Sequence, residues 1–306
     1  MNFSLTNTPS QKGRVAIVTG ANNGIGFETT LALAKHEFTV VMACRNLEKA
    51  EQAKTELLQK TPQADLDTMP LDLSDLDSVR AFVTAFKSKY AKLDVLINNA
   101  GVLIYSGKKN KAGVELQFAT NHLGHFLLTN LLLDLIPDNP ASRIVSLSSL
   151  AHKSAKIHFD DLNGENIDDA EAIYGQSKLA NLMFADELNR RLKNGNKKII
   201  ALAAHPGGSS SGLFNEMSRA KYYFFMILSP FILNSPASAA KPSLFAALSP
   251  EVKGGEYVGP QGFNELKGKV GFAKRSSYSQ REDVAQQLWE LSEEMTGEAF
   301  LLASKK

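Results

Sequence analysis

The sequence predicts an α/β protein built on a doubly wound parallel β-sheet with helices on both faces. Two observations carry that expectation. Across the first half of the chain, short β-branched apolar runs alternate with amphipathic helical stretches, as in a parallel sheet covered on both sides. A glycine-rich turn also follows the first run directly and opens the first helical stretch, where a βα unit presents backbone N–H groups to a ligand.

Val15 to Thr19 reads as the first strand and Phe38 to Ala43 as the second. Leu93 to Ile97, taken as the fourth strand, and Arg143 to Leu147 continue the series, and Lys198 to Ala203 is the sixth; no run is assigned to the third. Helical periodicity spans Ile25 to Lys35, Leu47 to Gln59, Leu76 to Tyr90 and Gln117 to Leu135, and a further helix carries Tyr174. Past Pro206 the rhythm changes to Gly207-Gly208-Ser209-Ser210-Ser211-Gly212 and then an apolar stretch. A helix at Ala237 to Leu248, a short strand at Glu256 to Val258 and a helix from Arg281 to Met295 close the chain. With no repeat, low-complexity tract or linker, residues 1–306 are expected to form a single domain.

The chain has 306 residues, 43% of them hydrophobic, enough to bury one large core. Its 34 basic and 32 acidic side chains leave a formal charge of +2, too balanced to imply a nucleic-acid partner or an anionic membrane. The single cysteine, Cys44, excludes an internal disulfide and a cysteine zinc site, and it suits a cytoplasmic setting. The polar N-terminus lacks a signal-peptide core. The apolar stretch from Tyr222 to Leu233, broken by Ser229 and Pro230, falls short of the ~20 residues a spanning helix needs. His122, His125, His152, His158 and His205 are scattered without a convincing ligand set, so no metal is expected and each reads as a packed side chain.

Two local patterns point to chemistry. In Thr19-Gly20-Ala21-Asn22-Asn23-Gly24-Ile25-Gly26 the glycines let the backbone turn tightly and approach a pyrophosphate, whose charge a helix N-terminus stabilises. Tyr174 and Lys178 stand four apart and share one helix face, which makes the phenol a tunable acid. Alone, the pair equally suits a solvated helix surface.

The glycine spacing, Asn98-Asn99-Ala100-Gly101 after the fourth strand, and Tyr174 with Lys178 together resemble the classical short-chain dehydrogenase/reductase family, with its Rossmann-type sheet. Asn121-His122-Leu123-Gly124-His125-Phe126, the Ala43-Cys44-Arg45-Asn46 turn and Ser177-Lys178-Leu179-Ala180-Asn181 resemble its retinol-dehydrogenase-like branch.

That resemblance implies an oxidoreductase moving a hydride between a nicotinamide and an apolar aldehyde or ketone, reversible as an alcohol dehydrogenase. Tyr174 would be the general acid/base, Ser149 would polarise the carbonyl, and Lys178 would hold the nicotinamide ribose and lower the tyrosine pKa. Asn121 would hold a water in the proton relay. Ser148 is the alternative serine. The cradle residues Gly20, Asn22, Asn23, Gly24, Ile25 and Gly26 would hold the diphosphate. Asp72 with Leu73 would contact adenine, and Asn99, Ala100 and Gly101 would close over the adenosine and ribose side. Pro206, Gly207 and Ser211 would meet the nicotinamide end. Arg45, with Asn46, replaces the carboxylate that would repel a 2′-phosphate, so NADPH is expected over NADH; Arg45 as a plain surface residue is the competing reading.

Residues 207–236 fall where the family places a C-terminal substrate lid. Phe214, Met217 and the apolar 222–233 stretch would wall a lipophilic pocket, or pack as core, subunit interface or membrane contact. Relatives often pair through the Gln117 to Leu135 and Tyr174 to Leu192 helices, so a homodimer or homotetramer is one expectation. Two other activities fit less well. Protochlorophyllide reduction usually involves a substrate-site cysteine, whereas Cys44 sits at the cofactor turn. A silent NADP(H)-binding sensor has no use for Asn121, Ser149, Tyr174 and Lys178 together.

Overall fold

The computed structural model describes residues 5, 8–104, 107–167, 169–208 and 233–300. Strand β1 (Val15–Thr19) is buried at every residue, because Ala16 and Val18 face one apolar core while Val15 and Ile17 face another. A period-2 strand that is apolar on both sides needs helices above and below. Helices α1 (Gly24–Lys35) and α2 (Leu47–Lys60) supply the first layer, and α3 (Leu76–Lys89) contributes to the second.

The remaining strands are β2 (Thr39–Cys44), β3 (Asp65–Pro70), β4 (Val95–Asn98), β5 (Arg143–Leu147), β6 (Ile200–Ala204), β7 (Tyr257–Pro260) and β8 (Val270–Phe272). They form one eight-stranded sheet in the order β3-β2-β1-β4-β5-β6-β7-β8, parallel except for the β7–β8 pair. The chain winds outward from β1 in both directions, so the crevice between the C-terminal ends of β1 and β4 is the switch point where such sheets take ligands.

Strand β3 has no apolar run because it is an edge. Asp65 accepts from the Thr39 hydroxyl at 2.6 Å, and Asp67 accepts from Lys89 at 2.7 Å and Tyr90 at 2.9 Å. Such charges blunt an open sheet edge. The stretch expected as one helix from Gln117 to Leu135 is instead a composite. It runs α4 (Leu116–Phe118), a π-turn (Ala119–Leu123), α5 (Gly124–Leu132) and a 3₁₀ turn (Leu133–Leu135). The π-turn is closed by the Gly124 N–H bonding the Ala119 carbonyl. Gly124 also lets the helix touch the β3–α3 connection, since a Cβ there would stand 2.2 Å from the Leu73 carbonyl oxygen.

Three helices complete the layers: α6 (Ala170–Asn194), α7 (Pro236–Leu248) and α8 (Glu282–Thr296). Helix α8 packs on α6. Its Trp289 stacks on Phe184 at 5.7 Å and meets Phe126 edge-on at 4.9 Å, while His122 Nε2 and the Ser292 hydroxyl are 2.9 Å apart. The Phe126 and Phe184 surfaces of α5 and α6 are thus buried against α8. Among the described residues no helix is long and apolar enough to cross a membrane. Ser211, Phe214, Met217, residues 209–232 of the expected lid and residues 222–232 of the apolar stretch lie outside the described residues.

Candidate active site

The cradle is shaped by close backbone approach. Gly20 and Gly24 take φ of 65° and 54°, in the left-handed region that favours glycine. A Cβ on Gly26 would stand 2.2 Å from the Gly20 carbonyl oxygen and 2.7 Å from Asn99 Nδ2. The Asn99 amide in turn donates to the Thr19 carbonyl at 2.7 Å. Turn and helix are therefore locked to the Asn99–Ala100 segment, which sits beside Gly20.

Helix α1 differs from its neighbours at its N-terminus. Asn46, Asp75 and Asp169 cap α2, α3 and α6 through their side chains, whereas Asn23 makes no side-chain cap bond and the first turn of α1 has no acidic residue. The orphan N–H groups of α1 thus face the cradle with a positive dipole end, and the set fits a dinucleotide diphosphate. Beneath it the Cys44 thiol takes backbone hydrogen bonds from Ala21 and Asn22, and burial pushes its pKa up to about 11. It is a packed, neutral group.

Arg45 is exposed at the C-terminal end of β2, next to the cradle. Asn46 has a structural task, because its Oδ1 accepts from Lys49 N at 2.9 Å to cap α2. Asp72 is half-buried; its Oδ1 accepts from the Ser74 N–H and hydroxyl at 3.0 and 2.6 Å, which leaves Oδ2 for a ligand. Leu73 is buried under Gly124.

On α6, Tyr174 and Lys178 are both buried, with the ammonium 5.6 Å from the phenol ring centroid. Lys178 Nζ donates to the Leu147 carbonyl at 3.2 Å, an acceptor it shares with Asn181 Nδ2 at 3.0 Å. The end of β5 thus fixes the amine. The two serines after β5 differ. Ser148 Oγ donates to the Lys178 carbonyl at 2.7 Å and anchors the helix, whereas the Ser149 hydroxyl lies against the Tyr174 phenol and favours its ionised form. Gly101 permits the last approach, since a Cβ there would stand 2.9 Å from Lys178 Nζ and 3.3 Å from Asn121 Oδ1.

Asn121, inside the π-turn, uses both of its amide donors and its amide oxygen. Oδ1 accepts from Val102 N at 2.8 Å, and Nδ2 donates to the Val102 carbonyl at 3.0 Å and to Ser177 Oγ at 2.9 Å. Its side chain therefore clamps the strand exit to α6. At the far side, Gly207 has φ of 74°, and Asn234 Nδ2 donates to the Pro206 and Leu266 carbonyls at 3.1 and 2.7 Å. Asn234 escaped the sequence reading; an asparagine standing before a serine-capped helix has no local signature of a loop clamp.

The expectation that Lys178 draws the Tyr174 pKa down is reversed by burial. The phenol is pushed up to about 12 by desolvation, which the Ser149 hydroxyl only partly offsets. Lys178 is pushed down to about 8, also by desolvation. A lysine with a depressed native pKa binds fewer protons folded than unfolded. Stability is therefore opposed in full below about pH 8 and recovers as pH rises toward the ordinary 10.5. The cost at neutral pH is on the order of 3 kcal/mol. Lys178→Met is accordingly expected to unfold at higher urea than the wild type at pH 7, with the gap narrowing toward pH 10. A gap that widens with pH would contradict the assignment.

Among the described residues no cluster of three or more histidine, cysteine or acidic side chains could hold a metal. The fold and the cradle define a Rossmann-type α/β protein in which Tyr174 and Lys178 are buried, and Ser149 half-buried, beside the glycine turn. A profile of the short chain dehydrogenase family matches residues 14–221, and the chain belongs to that family of oxidoreductases. It is 38% identical over 292 residues to retinol dehydrogenase 11 of Homo sapiens, covering 95% of this chain and 88% of that protein. Identity to retinol dehydrogenase 13 of Homo sapiens is also 38%, over 93% of this chain and 85% of the relative. A crystal structure of an uncharacterized protein from Mycobacterium Paratuberculosis superposes with a TM-score of 0.81 at 35% identity, covering 99% of this chain and 100% of the other. A short chain dehydrogenase from Shigella flexneri complexed with NADP shares the fold, with a TM-score of 0.64 at 22% identity over 80% and 96% of the two chains.

Proposed function

We propose that the protein is an NADP(H)-dependent carbonyl reductase, reversible as an alcohol dehydrogenase, for apolar aldehydes or ketones. One observation carries the reading: the half-buried Ser149 hydroxyl meets the buried Tyr174 phenol and Lys178 ammonium beside a glycine cradle that fits a diphosphate. The nicotinamide, when bound, supplies or accepts the hydride. The chain's own residues handle the oxygen. Tyr174, protonated across neutral pH, donates a proton to the carbonyl oxygen of the substrate, and Ser149 donates a hydrogen bond to the same oxygen as negative charge develops on it. Lys178, held on the Leu147 carbonyl, keeps a positive charge beside the phenol up to about pH 8.

The lipophilic substrate class rests on the retinol dehydrogenase relatives and on the aromatic residues of the 222–233 stretch. The test is NADPH oxidation over aliphatic, aromatic and polyene carbonyls, repeated with NADH. Reduction of polyene and aromatic aldehydes is expected to exceed that of short aliphatic ones; no turnover of any carbonyl would defeat the proposal. Cofactor choice is tied to the exposed Arg45 fork. Arg45→Asp is expected to lower kcat/KM with NADPH by roughly 10- to 100-fold, the worth of a charge-assisted phosphate contact, and to leave NADH nearly unaffected. An equal loss with both cofactors would place Arg45 outside the 2′-phosphate site.

A further inference from the structure

We propose that His125 is a positioning residue that ties the turn closing over the dinucleotide cradle to the backbone carbonyl of Asn121. Both ring nitrogens of this buried imidazole lie at hydrogen-bond distance from a partner, and the partners belong to opposite ends of the site. Nδ1 is 2.9 Å from the Asn121 carbonyl oxygen, and Nε2 is 2.9 Å from Thr19 Oγ1.

The proton positions follow from the partners. A carbonyl oxygen only accepts, so Nδ1 carries the hydrogen. Thr19 Oγ1 already accepts from the Asn99 and Ala100 N–H groups, each at 2.9 Å, which occupies its lone pairs. Its one hydroxyl hydrogen has two acceptors in reach, the Ile97 carbonyl at 3.4 Å and His125 Nε2 at 2.9 Å, and the shorter contact, whose acceptor has no other donor once Nδ1 carries the ring hydrogen, takes it. Burial pushes the His125 pKa down to about 4, and Lys178 acts in the same direction, so the neutral ring persists. One directed chain results: Asn99 and Ala100 N–H to Thr19 Oγ1, Thr19 O–H to His125 Nε2, and His125 Nδ1–H to the Asn121 carbonyl.

A packed aromatic of the same size fills the space but makes neither bond. The chain also gives Thr19, the last residue of β1, a reason to carry a hydroxyl where the sheet meets the cradle. Through it the cradle lock of Gly26 and Asn99 and the amide clamp of Asn121 on Val102 and Ser177 become one bonded unit. Displacing the imidazole therefore loosens dinucleotide binding at one end and the Tyr174 surroundings at the other. The kinetic half of this inference rests on the proposed hydride transfer; the binding half does not.

Three measurements test it. In protein with ¹⁵N-labelled histidine, His125 is expected to show the Nδ1-protonated neutral tautomer, unchanged from pH 8 to pH 5.5; the Nε2-protonated tautomer, or titration near pH 6.5, would overturn the assignment. His125→Phe is expected to weaken NADPH binding, read by the fluorescence of the bound dinucleotide, by about tenfold and to lower kcat by about tenfold, the scale of one or two lost hydrogen bonds. His125→Asn retains a donor at the Nδ1 position only. It should recover most of the kcat lost in His125→Phe while leaving the NADPH Kd weakened. Wild-type Kd and kcat in His125→Phe would reduce the imidazole to packing. Should that variant not fold, the tautomer in the wild type still decides. If the wild type binds NADPH yet reduces no carbonyl, hydride transfer fails as a function while the Kd comparison continues to judge His125.

Discussion

Tyr174→Phe is expected to lower kcat for carbonyl reduction by about 10²- to 10⁴-fold, the span of positioned acid–base catalysis. NADPH binding should stay within about fivefold, because one lost hydrogen bond is worth about 1 kcal/mol at most contacts. The separation follows from what the hydroxyl touches. Its described neighbour is the Ser149 hydroxyl, and Lys178 approaches the ring, so removing the oxygen leaves the helix and the amine in place. Steady-state turnover and a direct binding titration on one preparation check both halves. Turnover equal to the wild type would remove Tyr174 from the chemistry. Loss of binding in parallel would mean that the variant had disturbed α6.

Gly26→Ala should damage the opposite step. The added methyl would meet the Gly20 carbonyl oxygen at 2.2 Å and Asn99 Nδ2 at 2.7 Å, and both atoms are held, Gly20 by the backbone and Asn99 by its bond to the Thr19 carbonyl. Neither can withdraw without opening the turn. Overpacking of this kind costs about 1–3 kcal/mol, so a lower urea midpoint is expected together with an NADPH Kd raised at least tenfold. An unchanged Kd would show that the diphosphate sits elsewhere.

Much of this architecture could be read from the residues, and the exceptions have physical causes. Strands β1, β2, β4, β5 and β6 announce themselves because both faces are buried, which leaves continuous apolar runs. Strand β3 does not, because an edge strand carries aspartates, here bonded to Thr39 of the neighbouring β2 and to Lys89 and Tyr90. The π-turn at Asn121 is invisible to periodicity, since inserting one residue into the hydrogen-bond ladder leaves the apolar spacing on either side intact. In the site, Tyr174, Lys178 and the glycines stand out by type and spacing. The distinct tasks of Ser148 and Ser149 appear only once β5 meets α6. His125 was legible as a buried histidine, yet its partners lie 4 and 106 positions away, and no local pattern joins them.

The placement of α8 has a consequence for how α6, the helix that carries Tyr174, is supported. Where two subunits brace each other's site helices, the brace follows mass action and weakens on dilution. Here the Phe126 and Phe184 surfaces rest on Trp289, and the end of α8 is tied to α3 by Arg80 through the Thr296 carbonyl at 2.9 Å and Glu298 at 2.8 Å. The support behind Tyr174 thereby comes from α8 of the same chain, at an effective concentration that dilution cannot change.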